Sequence, residues 1–278
     1  MNLDQFRARQ KETTVAGLKM SFVDQGQGPA LLLIHGIPVW GYLWKDCLEP
    51  LAAHFRVIVP DLAGYGYSDQ RDSFDRSIKV QARLLAELLK QLRIEELFVV
   101  GHDIGGAVAQ RLVVDNATRV RKWVLMDSVL YDSWPAEPMV RLGNPQQHYR
   151  NSGSELAQKF IQRLPASFHQ RDRATPELLA AWMAPYMSDT GKLSLIRNAA
   201  ALNTNHTMEM LADLRRLTIP LLLLWGEKDQ FQPLATAERF HQEYPRSQLR
   251  VIPDSDHFLP LEKGAEVAQI LRDFLLGE

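Results

Sequence analysis

Between Leu97 and Ala109 the chain leaves no room for a connecting loop. Leu97-Phe98-Val99-Val100 is a continuous apolar run, Gly101-His102-Asp103-Ile104-Gly105-Gly106 follows at once, and Ala107-Val108-Ala109 continues in helix-compatible residues. An apolar run without alternation reads as a strand covered on both faces, the habit of parallel sheets. A strand passing straight into a helix must turn sharply, and small residues two before and two after Asp103 let the two backbones pass. The turn aims Asp103 at the C-terminal edge of the sheet. The helix N-terminus below it supplies oriented N–H groups and partial positive charge, which favour an ionised carboxylate. A helix N-cap is the plainer role for an Asp here, but a cap does not need Gly101, Gly105 and Gly106 together.

The rest of the first half repeats the strand–helix rhythm. Leu31 to Ile34, Val57 to Val59 and Trp123 to Met126 read as further buried strands, and Ser77 to Leu92 carries apolar residues at helical spacing. From Ser128 to Leu217 no strand-type run occurs. Helix-like segments fill that stretch (Ser154 to Leu164, Pro176 to Met187, Lys192 to Leu202), and Pro135, Pro138 and Pro145 punctuate its start. The strand pattern resumes at Pro220 to Trp225, then Gln248 to Ile252, and a helix over Glu266 to Leu276 closes the chain. A stretch this long exceeds what a single crossover needs. The expected organisation is therefore an α/β core of residues 1–127 and 218–278 with a helical lid, residues 128–217, inserted into it; ordinary crossover helices are the alternative.

Composition narrows the partners. The 278 residues carry 32 Lys and Arg against 33 Asp and Glu, a net charge of -1, so a polyanionic substrate or nucleic acid is not expected. Cys47 is the only cysteine, which rules out an internal disulfide. The polar start from Met1 to Gln10 lacks a signal-peptide core, and no apolar run approaches the ~20 residues of a membrane span. A cytoplasmic monomer or homodimer with no membrane partner is the expectation. No metal-ligand spacing, dinucleotide fingerprint or P-loop occurs, so no cofactor is expected.

Gly101-His102-Asp103-Ile104-Gly105-Gly106 resembles the aspartate-nucleophile branch of the α/β-hydrolase superfamily, which contains epoxide hydrolases and haloalkane dehalogenases. His35-Gly36-Ile37-Pro38 with Trp44 resembles that branch's oxyanion-loop motif, and Pro60-Asp61-Leu62-Ala63-Gly64-Tyr65-Gly66-Tyr67-Ser68 resembles the segment after its next strand. The resemblance implies an α/β-hydrolase fold, a mostly parallel eight-stranded sheet flanked by helices with the lid inserted after the sixth strand. It also places a base in the loop after the last strand, where His257 stands, in the chain order nucleophile, acid, base. Asp229, after the strand ending at Trp225, is the expected acid that fixes the imidazole tautomer, with Asp127 at the end of the preceding strand as the alternative. The oxyanion hole falls to the backbone N–H groups of Ile37 and Ile104. His35, Pro38 and His102 are expected to shape turns, with His35 and Pro38 near the pocket.

An Asp nucleophile restricts the reaction. Attack on an acyl carbon gives an anhydride, whereas attack on a saturated carbon gives an alkyl ester that water, activated by His257, can hydrolyse. The expected substrate is a small apolar electrophile, an epoxide first and an organohalide second, with water as co-substrate. A non-catalytic ligand-binding protein of the same fold is the remaining alternative. Dehalogenases of the branch place Trp after the nucleophile and often Asn in the oxyanion loop; here Ile104 and Ile37 stand there. Epoxide hydrolases use lid tyrosines as proton donors. The run Leu195-Ile196-Arg197-Asn198 carries Ile196 where a Tyr is usual, which leaves Tyr149, Tyr186 and Tyr131, with His148 and His206, as donor candidates. Trp40, Trp44, Phe168 and Trp182 are candidate pocket-lining residues.

Overall fold

The computed structural model describes residues 1–277. Eight strands form one sheet in the order β1-β2-β4-β3-β5-β6-β7-β8. They are β1 (Gln10–Val15), β2 (Leu18–Gln25), β3 (Ala30–Ile34), β4 (Arg56–Pro60), β5 (Leu97–His102), β6 (Val120–Met126), β7 (Leu221–Gly226) and β8 (Ser247–Ile252). β2 pairs antiparallel with both β1 and β4, and β3 to β8 run parallel. Of the six parallel strands, β3 to β7 are those expected from continuous apolar runs, and β8 (Ser-Gln-Leu-Arg-Val-Ile), also expected as the last strand, is half exposed. All positions of β5 and β7 are buried, because helices cover both faces. β1, with the polar sequence Gln-Lys-Glu-Thr-Thr-Val, is an edge strand that escapes a search for apolar runs.

The strand order positions the site. From β3 the chain moves outward to β4, then returns past β3 to β5. The loops after β3 and β5 therefore diverge at a topological switch point, where open α/β sheets leave a crevice at the strands' C-terminal ends. Ile34 of β3 stands opposite Gly101 of β5, so the loop at His35 and the turn at Asp103 rise side by side.

At that turn Asp103 has φ 53° and ψ -124°, a left-handed conformation a non-glycine residue holds only when its surroundings enforce it. They do so here through the backbone. The Asp103 N–H donates to the Met126 carbonyl (3.3 Å), and the Asp103 carbonyl accepts from Gly106 (2.9 Å) and Val129 (3.2 Å). Glycine is required where the helix Ile104–Asp115 crosses its own strand: a Cβ on Gly101 would lie 2.4 Å from the Gly105 carbonyl oxygen.

Between β6 and β7 the chain forms helices, among them Glu137–Leu142, Gly153–Arg163, Pro176–Met183 and Asp189–Ala200. They are tied to the sheet region by polar bonds as well as apolar packing. Arg76, buried ahead of the helix Ile78–Gln91, donates to Ser194 Oγ (2.8 Å) and Asn198 Oδ1 (2.6 Å), and both of those side chains donate to the Gly64 carbonyl. Trp40 Nε1 donates to the Ala181 carbonyl at 3.2 Å.

Gly101→Ala is expected to destabilise the protein by about 1–3 kcal/mol, the usual cost of overpacking, read as a lower urea midpoint with an unchanged slope. Unaltered stability would show that the strand and helix have room to part.

Candidate active site

Asp103 sits at the top of β5, 6% exposed, and its side chain makes no cap bond to the helix that follows. Instead Oδ1 accepts the Ile37 N–H at 2.8 Å. Oδ2 lies 3.7 Å from Nε2 of His257. Burial raises the carboxyl pKa, a rise that His257 and the Ile104 and Ile37 N–H groups offset only in part. The plain capping role is thus unfilled, and the carboxylate occupies a nest of donors.

His257 follows β8 and is 3% exposed. Its Nδ1 hydrogen-bonds Asp229 Oδ2 at 3.0 Å, so Nε2 is the nitrogen turned to Asp103. Burial alone would lower the imidazole pKa; Asp229, Asp103 and Asp256 overcome it and hold the ring at about 9. The imidazolium form of His257 and the carboxylate form of Asp103 thus favour each other. The Asp229 carboxylate is itself fixed, since Oδ1 accepts the N–H groups of Phe231 (2.8 Å) and Gln232 (2.9 Å). His102 Nε2 bonds the His257 carbonyl oxygen at 2.7 Å and orders the loop from beneath.

Asp127, the alternative acid, does not reach the imidazole. Its Oδ1 accepts the Gly226 N–H at 2.7 Å, and Oδ2 has no partner. Burial first, and the Asp229 charge second, push its carboxyl well above the usual range. His35 is fully buried; it donates from Nδ1 to the Gly36 carbonyl (2.8 Å), accepts the Leu62 N–H at Nε2 (3.0 Å), and is pushed by burial down to about 4. It is a neutral turn-shaper.

A cavity of about 540 Å³ opens above Asp103 and His257, with Ile37, Pro38 and Ile104 in its wall. The expected tyrosine donors are not among its lining residues, and this corrects the reading from sequence. The four-residue helix Gln147–Arg150 turns Gln147 to the cavity, and Tyr149, about 200° farther round, is 87% exposed to solvent. Tyr186 is buried elsewhere, its hydroxyl oxygen accepting the Gly66 N–H at 3.4 Å. Tyr131 packs on Phe240 beneath Arg239. His148, His206, His35 and Ile196 also lie outside the lining.

The aromatic residues expected at the pocket are core instead. Trp40 stacks on Tyr42, Trp182 packs against Phe168 and Phe258, and Trp44 is fully buried. None of Trp40, Trp44, Trp182 or Phe168 lines the cavity. Trp134 does, but its indole N–H is committed to Thr207 Oγ1 at 2.8 Å. Sequence reasoning missed Ser167, Gln232, Arg141, Lys159 and Arg163, all of which line the wall. Leu156, Lys159, Phe160 and Arg163 stand at helical spacing, a signal for one helix face but not for what that face covers.

The profile of the alpha/beta hydrolase fold matches residues 29–264. The chain belongs to the α/β-hydrolase family. Haloalkane dehalogenase 2 of Mycobacterium tuberculosis (strain ATCC 25618 / H37Rv) is 29% identical over 266 residues, 90% of this chain and 89% of that protein. Cis-3-alkyl-4-alkyloxetan-2-one decarboxylase of Xanthomonas campestris pv. campestris is 25% identical over 283 residues, 93% of each. Among solved structures, Epoxide hydrolase CorEH shares the fold with a TM-score of 0.80 at 22% identity, covering 96% of this chain and 98% of that one. The α/β-hydrolase described here is a hydrolase whose substrate those relatives leave open. No described helix is long and apolar enough to cross a membrane.

Asp127→Asn tests the acid assignment. A carboxyl whose pKa is raised by folding loses stability for the native state as pH climbs above its unfolded value near 4, so the neutral amide is expected to raise the melting temperature at pH 7 and leave it little changed near pH 3. Turnover is expected to survive, whereas Asp229→Asn is expected to reduce it at least 100-fold, by analogy with loss of the orienting acid in other triads. Equal losses in the two variants would contradict the placement of the imidazole on Asp229.

Proposed function

We propose that the protein hydrolyses an electrophilic saturated carbon through an alkyl ester on Asp103, and that its substrate is an epoxide opened to a vicinal diol. The observation that carries this reading is the state of the Asp103 carboxylate, with one oxygen held on the Ile37 N–H at 2.8 Å and the other free at the cavity floor beside His257. A carboxylate so placed can attack in line, and the ester carbonyl it becomes already rests in the N–H pocket that stabilises the later oxyanion. Helices between β6 and β7 serve as the lid over this cavity, with residues 128–217 as the inserted unit.

Proton balance favours an epoxide over a halide. In the resting site His257 carries a proton. Oδ2 attacks the epoxide carbon, the ring C–O bond breaks, and the alkoxide takes the His257 proton through a water molecule in the cavity. That transfer leaves the imidazole neutral, as the next step requires. His257 then removes a proton from water as its oxygen adds to the ester carbonyl. Collapse expels the diol oxygen, which takes the proton of the restored Asp103 carboxyl, and the site returns to its initial charges. A departing halide needs no proton but needs N–H donors. The Ile37 and Ile104 side chains beside Asp103 offer none, and the Trp134 indole is already bonded to Thr207, so a halide would have to rely on wall amides such as Gln232. A relative whose name specifies an oxetan-2-one, a strained oxygen ring, agrees with ring opening.

The dehalogenase reading keeps support from the 29% identical haloalkane dehalogenase 2. One experiment separates the two. Because His257 serves both steps, the intermediate is trapped in unaltered enzyme: mixing excess enzyme with styrene-type or aliphatic epoxides, or with haloalkanes, quenching in acid within the first turnover and weighing the peptide bearing Asp103 is expected to reveal an added epoxide mass. An adduct from haloalkanes alone would transfer the assignment to dehalogenation, and no adduct from either would refute the ester mechanism.

The same scheme fixes a pH dependence. Because the imidazolium supplies the proton in the first step, kcat/KM for an epoxide is expected to fall as pH rises through about 9, where His257 loses its charge. A rate that stays level to pH 10, in enzyme that remains folded, would rule out His257 as the proton source.

A further inference from the structure

The cavity wall is not uniformly apolar. The helix Gly153–Arg163 presents Leu156 and Phe160 to the cavity, and Lys159 and Arg163 beside them. Each pair is spaced four residues apart, so one helix face joins an apolar stripe to a cationic one. Lys159 and Arg163 are exposed, which puts their charges at the mouth rather than the floor. A third cation in the wall, Arg141, is paired with Glu137, the one Asp or Glu in the lining besides Asp103. Lys159 and Arg163 enter no ion pair among the described residues; the Lys159 ammonium donates to the neutral Asn151 Oδ1.

Two positive charges outside any ion pair, with Glu155 one turn from Lys159 as the nearest acid on their helix, thus stand over an opening that leads to an apolar chamber, in a protein whose net charge is -1. Low-dielectric walls concentrate the field of such charges at the opening. A ligand matching this arrangement has an apolar body for the chamber and an anionic group at the end left outside.

We propose that the substrate is an anionic amphiphile, with its electrophilic carbon carried inward on an apolar chain and a terminal carboxylate held at the mouth by Lys159 and Arg163. This specificity rests on the cavity being the substrate site, but not on which bond is broken there. The two residues select and orient; they do not touch the reacting atoms.

Binding is the direct test, because it needs no turnover. Wild-type protein is titrated calorimetrically with decanoate and with 1-decanol. Decanoate is expected to bind roughly five- to tenfold more tightly at low salt, in keeping with two partly exposed charge contacts. The advantage should vanish in the Lys159→Gln/Arg163→Gln double variant and shrink in about 0.5 M salt, where charges are screened within a few ångströms. Binding of 1-decanol should not change. Equal affinities for the two probes, or a decanoate preference that survives the double substitution, would overturn the proposal. A parallel measurement compares kcat/KM for a terminal epoxide bearing a distal carboxylate with that for its methyl ester. The double variant is expected to lower the first and spare the second; equal loss for both would also count against it. If neither epoxide is turned over while decanoate keeps its advantage, the epoxide reading fails and the amphiphile reading stands.

Discussion

A carboxylate with little access to water must be stabilised by its surroundings, and at Asp103 those surroundings are assembled from distant parts of the chain. The Ile37 N–H comes from the loop after β3 and the His257 imidazolium from the loop after β8. The turn that holds Asp103 itself is fastened through backbone bonds to Met126 at the end of β6 and to Val129 just after it. Burial works against the charge and the donors work for it. The sheet order, the glycine contact under the turn and the ordering of His257 by His102 and Asp229 all serve to keep these few atoms in register.

The acid side of the site shows how neighbouring carboxyl groups can differ in state. Asp229 is fixed by two backbone N–H groups and bonded to an imidazolium. Asp127 has one backbone donor, an oxygen without a partner and a charged neighbour, so burial pushes its carboxyl pKa well above the usual range. Position along the strands admitted either residue as the partner of His257. The imidazole bonds Asp229 and not Asp127, and the raised pKa of Asp127 favours its neutral form beside that pair.

Much of this was legible in the sequence, for identifiable reasons. Parallel strands buried on both faces appear as apolar runs, which is why β3 to β7 stand out, and the Gly-x-Asp-x-Gly-Gly turn encodes a close backbone crossing that few other residues allow. Polar β1 carries no such mark. The helical segment was read least well. Tyr149 and Tyr186 have the right chemistry for proton donors, but whether a side chain on a short helix meets cavity, core or solvent depends on how that helix is rotated, which composition does not record. The same limit hid Lys159 and Arg163. Large aromatics such as Trp40 and Trp182 suit a pocket wall and a core equally, and here the core takes them.

The central claim is that an oxygen of Asp103, rather than one of water, forms the first new bond to substrate carbon. A single turnover in ¹⁸O-labelled water, with enzyme in excess over an accepted epoxide, tests it directly. The diol of that turnover is expected to contain only unlabelled oxygen, with the heavy isotope in the peptide bearing Asp103. Label in the diol with none in that peptide would mean that water attacks the substrate itself, and Asp103 would then be a base or an electrostatic support.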